Sequence, residues 1–235
     1  MSAIYQYLLS GIETDYETVR TIKNGTRGCV LLLRHRQNGA RFIFRHYQGS
    51  GEVYRKLLSV SSPHLPKIME AAEHDGMTAV LEEYIQGDPL ALVLEGACLE
   101  PAQARDIAMQ LCRALWVLHS MGAVHRDVKP ENVILRGSEA VLIDFDASRV
   151  FKDEISQDTQ VLGTTGYAAP EQYGIAQTDG RADIYSLGVL LNIMLTGKHP
   201  SKELASGRLG HIVQKCTMVN PKKRYKSVLY LMEAL

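Results

Sequence analysis

Strand-like runs fill the first third of the chain and helical spacing dominates after Pro101. Residues 20–47 read as strands. Gly28-Cys-Val-Leu-Leu-Leu-Arg34 and Arg41-Phe-Ile-Phe-Arg-His-Tyr47 are apolar and rich in β-forming residues. Asn38-Gly39 lies between them, and both positions favour positive φ, so a hairpin is predicted. Residues 77–84 read as another strand. Pro101 suits the first turn of a helix, Ile107, Leu111, Leu115 and Leu118 recur at helical spacing, and Gly122 suits its stop. Cys112 and Trp116 on this helix are read as core. Residues 133–135 and 140–143, joined by a turn at Arg136-Gly-Ser-Glu139, predict a second hairpin. Residues 147–162 are polar and aperiodic and read as a mobile loop.

Composition narrows the class. A chain of 235 residues suffices for one large domain or two small lobes with real cores. Twenty-six acidic residues balance twenty-six basic ones, which leaves no electrostatic case for a nucleic-acid or membrane-surface protein. Cys29, Cys98, Cys112 and Cys216 have no CxxC spacing, a pattern that fits reduced thiols in the cytoplasm and neither a disulfide framework nor a zinc site. The N-terminus lacks a basic segment followed by an apolar run, so no signal peptide is expected. The longest apolar stretch, residues 187–195, contains Gly188 and Asn192 and is too short for a membrane segment.

The chemistry concentrates in His125-Arg-Asp-Val-Lys-Pro-Glu-Asn132, followed by Asp144-Phe-Asp146. Phosphoryl transfer needs a base near an acceptor hydroxyl, a cation on the moving phosphoryl group and oxygen ligands for a divalent metal. Asp127, Lys129, Asn132 and Asp144 are the candidates for those roles. The hairpin of residues 133–143 would carry Asn132 on one side and Asp144 on the other, close in space. The run His-Arg-Asp-x-x-x-x-Asn resembles the catalytic loop of the eukaryotic-like protein kinases.

The resemblance spans roughly residues 12–235. Lys23-Asn-Gly25-Thr-Arg-Gly28-Cys-Val30 has the outline of a glycine-rich loop. Gly163-Thr-Thr-Gly-Tyr-Ala-Ala-Pro-Glu171 resembles the segment that shapes a peptide-acceptor site. Asp183 would brace the catalytic loop backbone, and Arg224 would clamp Glu171. Thr164 would tie the peptide-binding segment to Asp127 and Lys129. The run from Gly166 to Gly188 looks like a bacterial branch, of the Gram-positive kind. The resemblance implies an α+β, two-lobed fold: a small antiparallel sheet lobe over about residues 1–84, a hinge at about 83–88, and a larger, mainly helical lobe over about 88–235. It implies ATP and Mg²⁺ as cofactors. Asp127 and Lys129 would be catalytic, Asn132 and Asp144 would hold the metal, and Gly25, Gly28, Val30, Ile43, Arg45, Glu83 and Ile134 would contact the nucleotide.

Several positions depart from the family pattern. Lys23 replaces the first glycine of the loop, and Asp146 replaces the glycine after Asp-Phe. Arg45 replaces a lysine that contacts the α- and β-phosphates, and Ile43 replaces an alanine over the adenine. The family's lysine pairs with a glutamate on the next helix, here through residues 52–58 with Leu57 and Val60 inward. That position falls on Val53 without gaps and on Glu52 with one insertion. Two outcomes follow for Arg45. Either it serves less well than lysine and Arg45→Lys raises a slow transfer rate, or the site is rebuilt around arginine with Glu52 or Glu82 as partner. Glu82 alternatively is a strand residue turned to water.

The implied function is transfer of the γ-phosphoryl of ATP to Ser or Thr of a protein substrate. Ser156, Thr159, Thr164 and Thr165 are candidate autophosphorylation sites. Two readings compete: an inactive, nucleotide-binding pseudokinase scaffold, favoured by Lys23, Ile43, Arg45 and the unsettled place of Glu52, and a small-molecule kinase of the aminoglycoside type, disfavoured by the Ala-Pro-Glu segment and Arg224.

Overall fold

The computed structural model describes residues 3–150, 166–173 and 179–235. The chain divides into two compact units, Met1–Ser62 with Pro66–Ile85, and Pro63–Leu65 with Gln86–Leu235. The first is the antiparallel sheet lobe and the second the helical lobe.

The first unit runs α1 (Ala3–Asp15), β1 (Tyr16–Gly25), β2 (Gly28–His35), β3 (Arg41–Gln48), α2 (Glu52–Leu57), β4 (Ile68–His74) and β5 (Met77–Glu83). The strands form a five-stranded antiparallel sheet in the order β1-β2-β3-β5-β4. Two of these elements, α1 and β4, lie outside the strand and helix runs read from the sequence, and β1 begins earlier than residue 20. The signal for α1 was present: Tyr5, Leu8, Leu9 and Ile12 recur at helical spacing. Tyr5 and Leu8 bury against Leu33, Phe44, Ala72, Ala79 and Leu81 on one face of the sheet. Tyr5 Oη lies 2.7 Å from His46 Nε2, which anchors the helix to β3.

Alternation along the strands sends Val30, Leu32, Ile43, Arg45, Val80 and Glu82 to the opposite face. The β2–β3 hairpin forms as expected, but its loop is longer than two residues, because Arg34 pairs with Arg41. Only Gly39 takes a positive φ there, of 72°. Asn38 instead uses its side-chain oxygen to accept from Ala40 N at 2.9 Å, the local hydrogen bond typical of an Asx turn.

The second unit contains β6 (Asp88–Pro89), α3 (Leu90–Gly96), α4 (Pro101–Ser120), β7 (Ala123–Val124), β8 (Val133–Arg136), β9 (Glu139–Leu142), β10 (Arg149–Val150), α5 (Arg181–Thr196), α6 (Gly207–Cys216) and α7 (Val228–Ala234). Helix α4 starts with a capping box between Glu100 and Gln103 and with Pro101 in its first turn. Ile107, Leu111, Leu115 and Leu118 are buried on one side of it together with Cys112. Trp116 is a correction: it lies off that stripe and is 41% exposed.

Helix α5 is buried along most of its length. Its Asn192, an oddity in an apolar run, is fully satisfied. The amide donates to Lys198 O at 2.8 Å and Glu203 O at 2.7 Å and accepts from Ala205 N at 2.9 Å, which pins the following loop. Gly188 lets α5 and α6 approach closely, since a Cβ there would come within 2.4 Å of Cys216 Cβ. Among the described residues no helix is long and apolar enough to cross a membrane.

Burial holds three imidazoles, His46, His64 and His125, below the ordinary histidine pKa, so they fold as neutral rings. The unfolded chain takes up protons at these positions as pH falls through about 6.5, and the folded chain resists doing so. Their folded pKa values lie below the unfolded ones, so lowering the pH costs stability. The melting temperature is expected to be level near pH 8 and to drop as pH falls below about 6.5. A scan of Tm against pH checks the sign, and a rise on acidification contradicts it.

Candidate active site

The loop between β7 and β8 carries the run from His125 to Asn132, and its geometry is fixed by one buried carboxylate. Asp183, on the first turn of α5, accepts from His125 N at 2.9 Å and from Arg126 N at 2.8 Å. His119, from the last turn of α4, lies with Nε2 2.8 Å from the same carboxylate. Burial alone would raise the Asp183 carboxyl. The hydrogen bond and charge of His119, with smaller contributions from His125 and the Arg126 amide, outweigh it and hold the group below the usual carboxylate range. This brace holds Arg126 at φ 70°, a conformation that a residue with a Cβ rarely adopts. Ser148 Oγ donates to His125 O at 3.2 Å, and the His125 ring stands edge-on to Phe145 at 5.5 Å between centroids.

Asp127 follows, and its Oδ2 meets two partners. Lys129 Nζ lies 2.7 Å away, and Asn132 Nδ2 donates to it at 2.9 Å. Asn132 Nδ2 also reaches Asp127 O at 2.8 Å. The amide nitrogen of Asn132 is therefore committed to Asp127, which leaves its oxygen as the atom suited to a hard cation. Ile143 N donates to Asn132 O at 2.9 Å, continuing the β8–β9 ladder and setting Asp144 one residue beyond. The hairpin thus brings Asn132 and Asp144 to adjacent strand ends. The positive φ of this segment falls on Asp144, at 68°, and not on Asp146. Asp146 N closes the turn onto Asp144 Oδ1 at 3.3 Å. Among the described residues no group of three or more His, Cys, Asp and Glu side chains converges on a metal position. A cation held by Asn132 and Asp144 would need further oxygens from its ligand.

The Ala-Pro-Glu clamp forms as expected. Arg224 donates through Nη1 to Glu171 Oε1 at 2.6 Å and through Nη2 to Glu171 Oε2 at 2.8 Å. It also reaches the carbonyls of Met218, Val219 and Arg181. Gln172 is a residue that the sequence did not point to. Its Nε2 donates to Arg126 O at 2.9 Å and its Oε1 accepts from Ala169 N at 3.0 Å, so it ties the Ala-Pro-Glu segment to the catalytic loop. A buried glutamine next to a motif glutamate reads as an ordinary polar residue until the pairing is seen.

In the first unit, Gly25 and Gly28 pair across the β1–β2 turn. Their needs differ. A Cβ on Gly28, at φ 145°, would come within 2.1 Å of His46 O, so β3 itself demands a glycine. A Cβ on Gly25 meets nothing within 4 Å. Gly28→Ala is expected to cost about 1–3 kcal/mol of stability, while Gly25→Ala is expected to melt as the wild type does. Thermal melts of the two variants check this. Val30 is buried beside Arg45 and Ile43 pairs with Glu82. Glu83 accepts from Lys67 N through Oε2 at 3.0 Å, at the end of β5. Ile134 lies in the second unit, paired with Pro89 and Val141.

Arg45 and Glu82 form a buried ion pair, Nε to Oε1 at 2.7 Å, so Glu82 is not turned to water. Helix α2 ends at Leu57 and buries Val53, Tyr54 and Leu57, while Val60 lies beyond it and is half-buried. Glu52 makes no ion pair among the described residues. Ser156, Thr159, Thr164 and Thr165 lie outside the described residues.

A family model described as "Protein kinase domain" matches residues 16–229. This chain belongs to the protein kinase family. It is 36% identical over 154 residues to the serine/threonine-protein kinase pkn2 of Myxococcus xanthus, covering 62% of this chain and 19% of that protein. It is 32% identical over 209 residues to the serine/threonine-protein kinase PknD of Mycobacterium tuberculosis, covering 83% of this chain and 31% of that protein. With the serine/threonine-protein kinase PknH of Mycobacterium bovis it shares 35% identity over 202 residues, 85% of this chain and 33% of the relative. The chain thus spans about a third or less of the length of these relatives. It is a protein kinase domain of the bacterial, eukaryotic-like serine/threonine type. Membership implies the use of ATP with a divalent metal, and a protein as acceptor. Helix α1 precedes the matched region and packs on the sheet through Tyr5 and Leu8.

Proposed function

We propose that this kinase domain transfers the γ-phosphoryl of ATP to the hydroxyl of Ser or Thr in a protein substrate, and that its two units are the two lobes of one catalytic domain. The observation that carries the reading is the Asp127 carboxylate, placed by Asp183 through the loop backbone and held between Lys129 and Asn132. An acid in that position orients an acceptor hydroxyl and takes its proton as the oxygen attacks phosphorus. Lys129 lies next to it and supplies positive charge where the transferring phosphoryl group carries negative charge. Asn132 and Asp144 are the residues that would hold Mg²⁺, which when bound neutralises the phosphate oxygens and fixes their orientation. Arg45 would contact phosphate, with Gly25, Gly28, Val30, Ile43, Glu83 and Ile134 lining the nucleotide site.

Balanced charge supports a protein acceptor over a nucleic acid. Four unpaired thiols support a cytoplasmic setting. Ser156, Thr159, Thr164 and Thr165 are proposed as autophosphorylation sites, a phosphate on Ser156 or Thr159 pairing with Arg126. Incubation with γ-labelled ATP and Mg²⁺ tests the proposal, with a generic Ser/Thr peptide in one arm and an aminoglycoside in another. Label on the peptide or on the protein's own Ser/Thr residues supports it. Label on the aminoglycoside alone, or none at all with Mg·ATP demonstrably bound, contradicts it and leaves a small-molecule kinase or a nucleotide-binding scaffold.

A further inference from the structure

Resemblance to the family places the carboxylate partner of the β3 cation on the helix that follows. The sheet unit of this chain places it elsewhere. Arg45 and Glu82 project from neighbouring strands onto the same face, in a ladder where Ile43 pairs with Glu82 and Arg45 with Val80. Their side chains are 6% and 3% exposed, and Nε meets Oε1 at 2.7 Å. Helix α2 packs on that face too, with the Tyr54 ring 6.3 Å from that of Tyr47 on β3. Its inward residues are nevertheless Val53, Tyr54 and Leu57, none of which is a carboxylate. The helix is only 6 residues long, and Glu52 is its first residue. The acid on β4 that faces α2, Glu73, engages Arg55 at 3.5 Å and Gly51 N at 3.0 Å.

We propose that Glu82 is the positioning residue of Arg45: the cation that meets the ATP phosphates is held by a carboxylate within the β-sheet and not by one on helix α2. This rests on the reading of Arg45 as the phosphate contact given above. Two physical points support it. A guanidinium has five N–H donors in a rigid fork, so one side chain serves a carboxylate and a phosphate in a fixed relative geometry. A lysine ammonium is a point charge without that fork. Secondly, β3 and β5 are locked by a continuous antiparallel ladder from Phe42–Glu83 to Gln48–Met77. A helix that contributes the partner can release the cation by shifting, whereas a hydrogen-bonded neighbouring strand cannot do so without losing the ladder. The site built around Arg45 is therefore set when the sheet folds and does not depend on the position of α2. The specificity consequence is equally definite: arginine at 45 and glutamate at 82 act as one unit, and neither is exchangeable alone.

The test measures the Kd for Mg·ATP, KM for ATP, KM for peptide, kcat and Tm for the wild type and four variants. Glu82→Gln removes the charge from the partner and is expected to raise both ATP constants about tenfold to a hundredfold, with KM for peptide unchanged. Glu82→Asp keeps the pair charged, and so folded, while drawing the carboxylate back by one methylene, and is expected to raise the ATP constants several-fold. It is the deciding variant if Glu82→Gln does not fold. Arg45→Lys is expected to weaken ATP binding, and Glu52→Gln to leave it unchanged. Wild-type ATP constants in Glu82→Asp and in any folded Glu82→Gln, or a loss confined to Glu52→Gln, overturn the inference. A wild type that binds Mg·ATP without transferring phosphate overturns the functional proposal alone, because Kd still reads the Arg45–Glu82 unit. A wild type that does not bind Mg·ATP overturns both.

Discussion

Asp127→Asn is expected to bind Mg·ATP as the wild type does while losing about 10²–10⁴-fold in transfer rate. Asparagine is nearly isosteric and keeps an oxygen to accept from Asn132 Nδ2, which now bonds Asp127 at 2.9 Å. The loop backbone is held independently, by Asp183 on the amides of His125 and Arg126. The fold and the placement of Asn132 therefore survive. What disappears is a base for the acceptor proton and the charge that faces Lys129. The effect belongs in kcat, with the ATP dissociation constant unchanged. Asp144→Asn is the contrasting variant: it removes charge from a proposed metal ligand and is expected to weaken metal-dependent nucleotide binding as well. Comparing thermal shifts with Mg·ATP and transfer rates for both variants separates the two roles. Wild-type transfer by Asp127→Asn contradicts the assignment.

The second large effect is on stability. Arg224→Ala is expected to destabilise the protein by about 3–5 kcal/mol. The Arg224 side chain is fully buried, its partner Glu171 is 13% exposed, and the pair is bidentate. Truncation strands the glutamate and takes the donor from the carbonyls of Met218, Val219 and Arg181. For a chain of this size that corresponds to a drop in Tm of roughly 6–20 °C. Arg224→Lys is expected to rescue only part of it, since an ammonium cannot serve both carboxylate oxygens and three carbonyls in a planar fork. The double variant Arg224→Met with Glu171→Met is expected to recover more, because no unpaired buried charge is left. Denaturant titration of the three variants gives the comparison.

Features set by short spacing along the chain were legible in the sequence. The run from His125 to Asn132 and the hairpin carrying it to Asp144 formed as the residues implied, whereas the pairing of Arg224 with Glu171, 53 residues apart, was legible only through the family resemblance. Features decided by strand order were not. Arg45 and Glu82 are far apart in the chain, and they meet only because β5 inserts between β3 and β4. Chain order alone would put β4 beside β3. Gly28 looked like a phosphate-cradling glycine, yet its glycine is already required by the approach of His46 O. The unusual backbone near the Asp-Phe dipeptide fell on Asp144, not on the departure at Asp146, because side-chain identity marks where φ is tolerated and not where the turn places it. Trp116 shares a helix with a buried stripe but lies off its face, a difference of angle that a list of apolar residues does not carry.

The measurement that tests the account most directly is a single-turnover transfer assay. The wild type is mixed with γ-labelled ATP, Mg²⁺ and a Ser/Thr peptide, quenched at intervals, and the labelled amino acids are identified. Metal-dependent label on serine or threonine is expected, formed by Asp127→Asn far more slowly than by the wild type. Label that appears equally with Asp127→Asn, or an absence of label on any acceptor while Mg·ATP is bound, would contradict it.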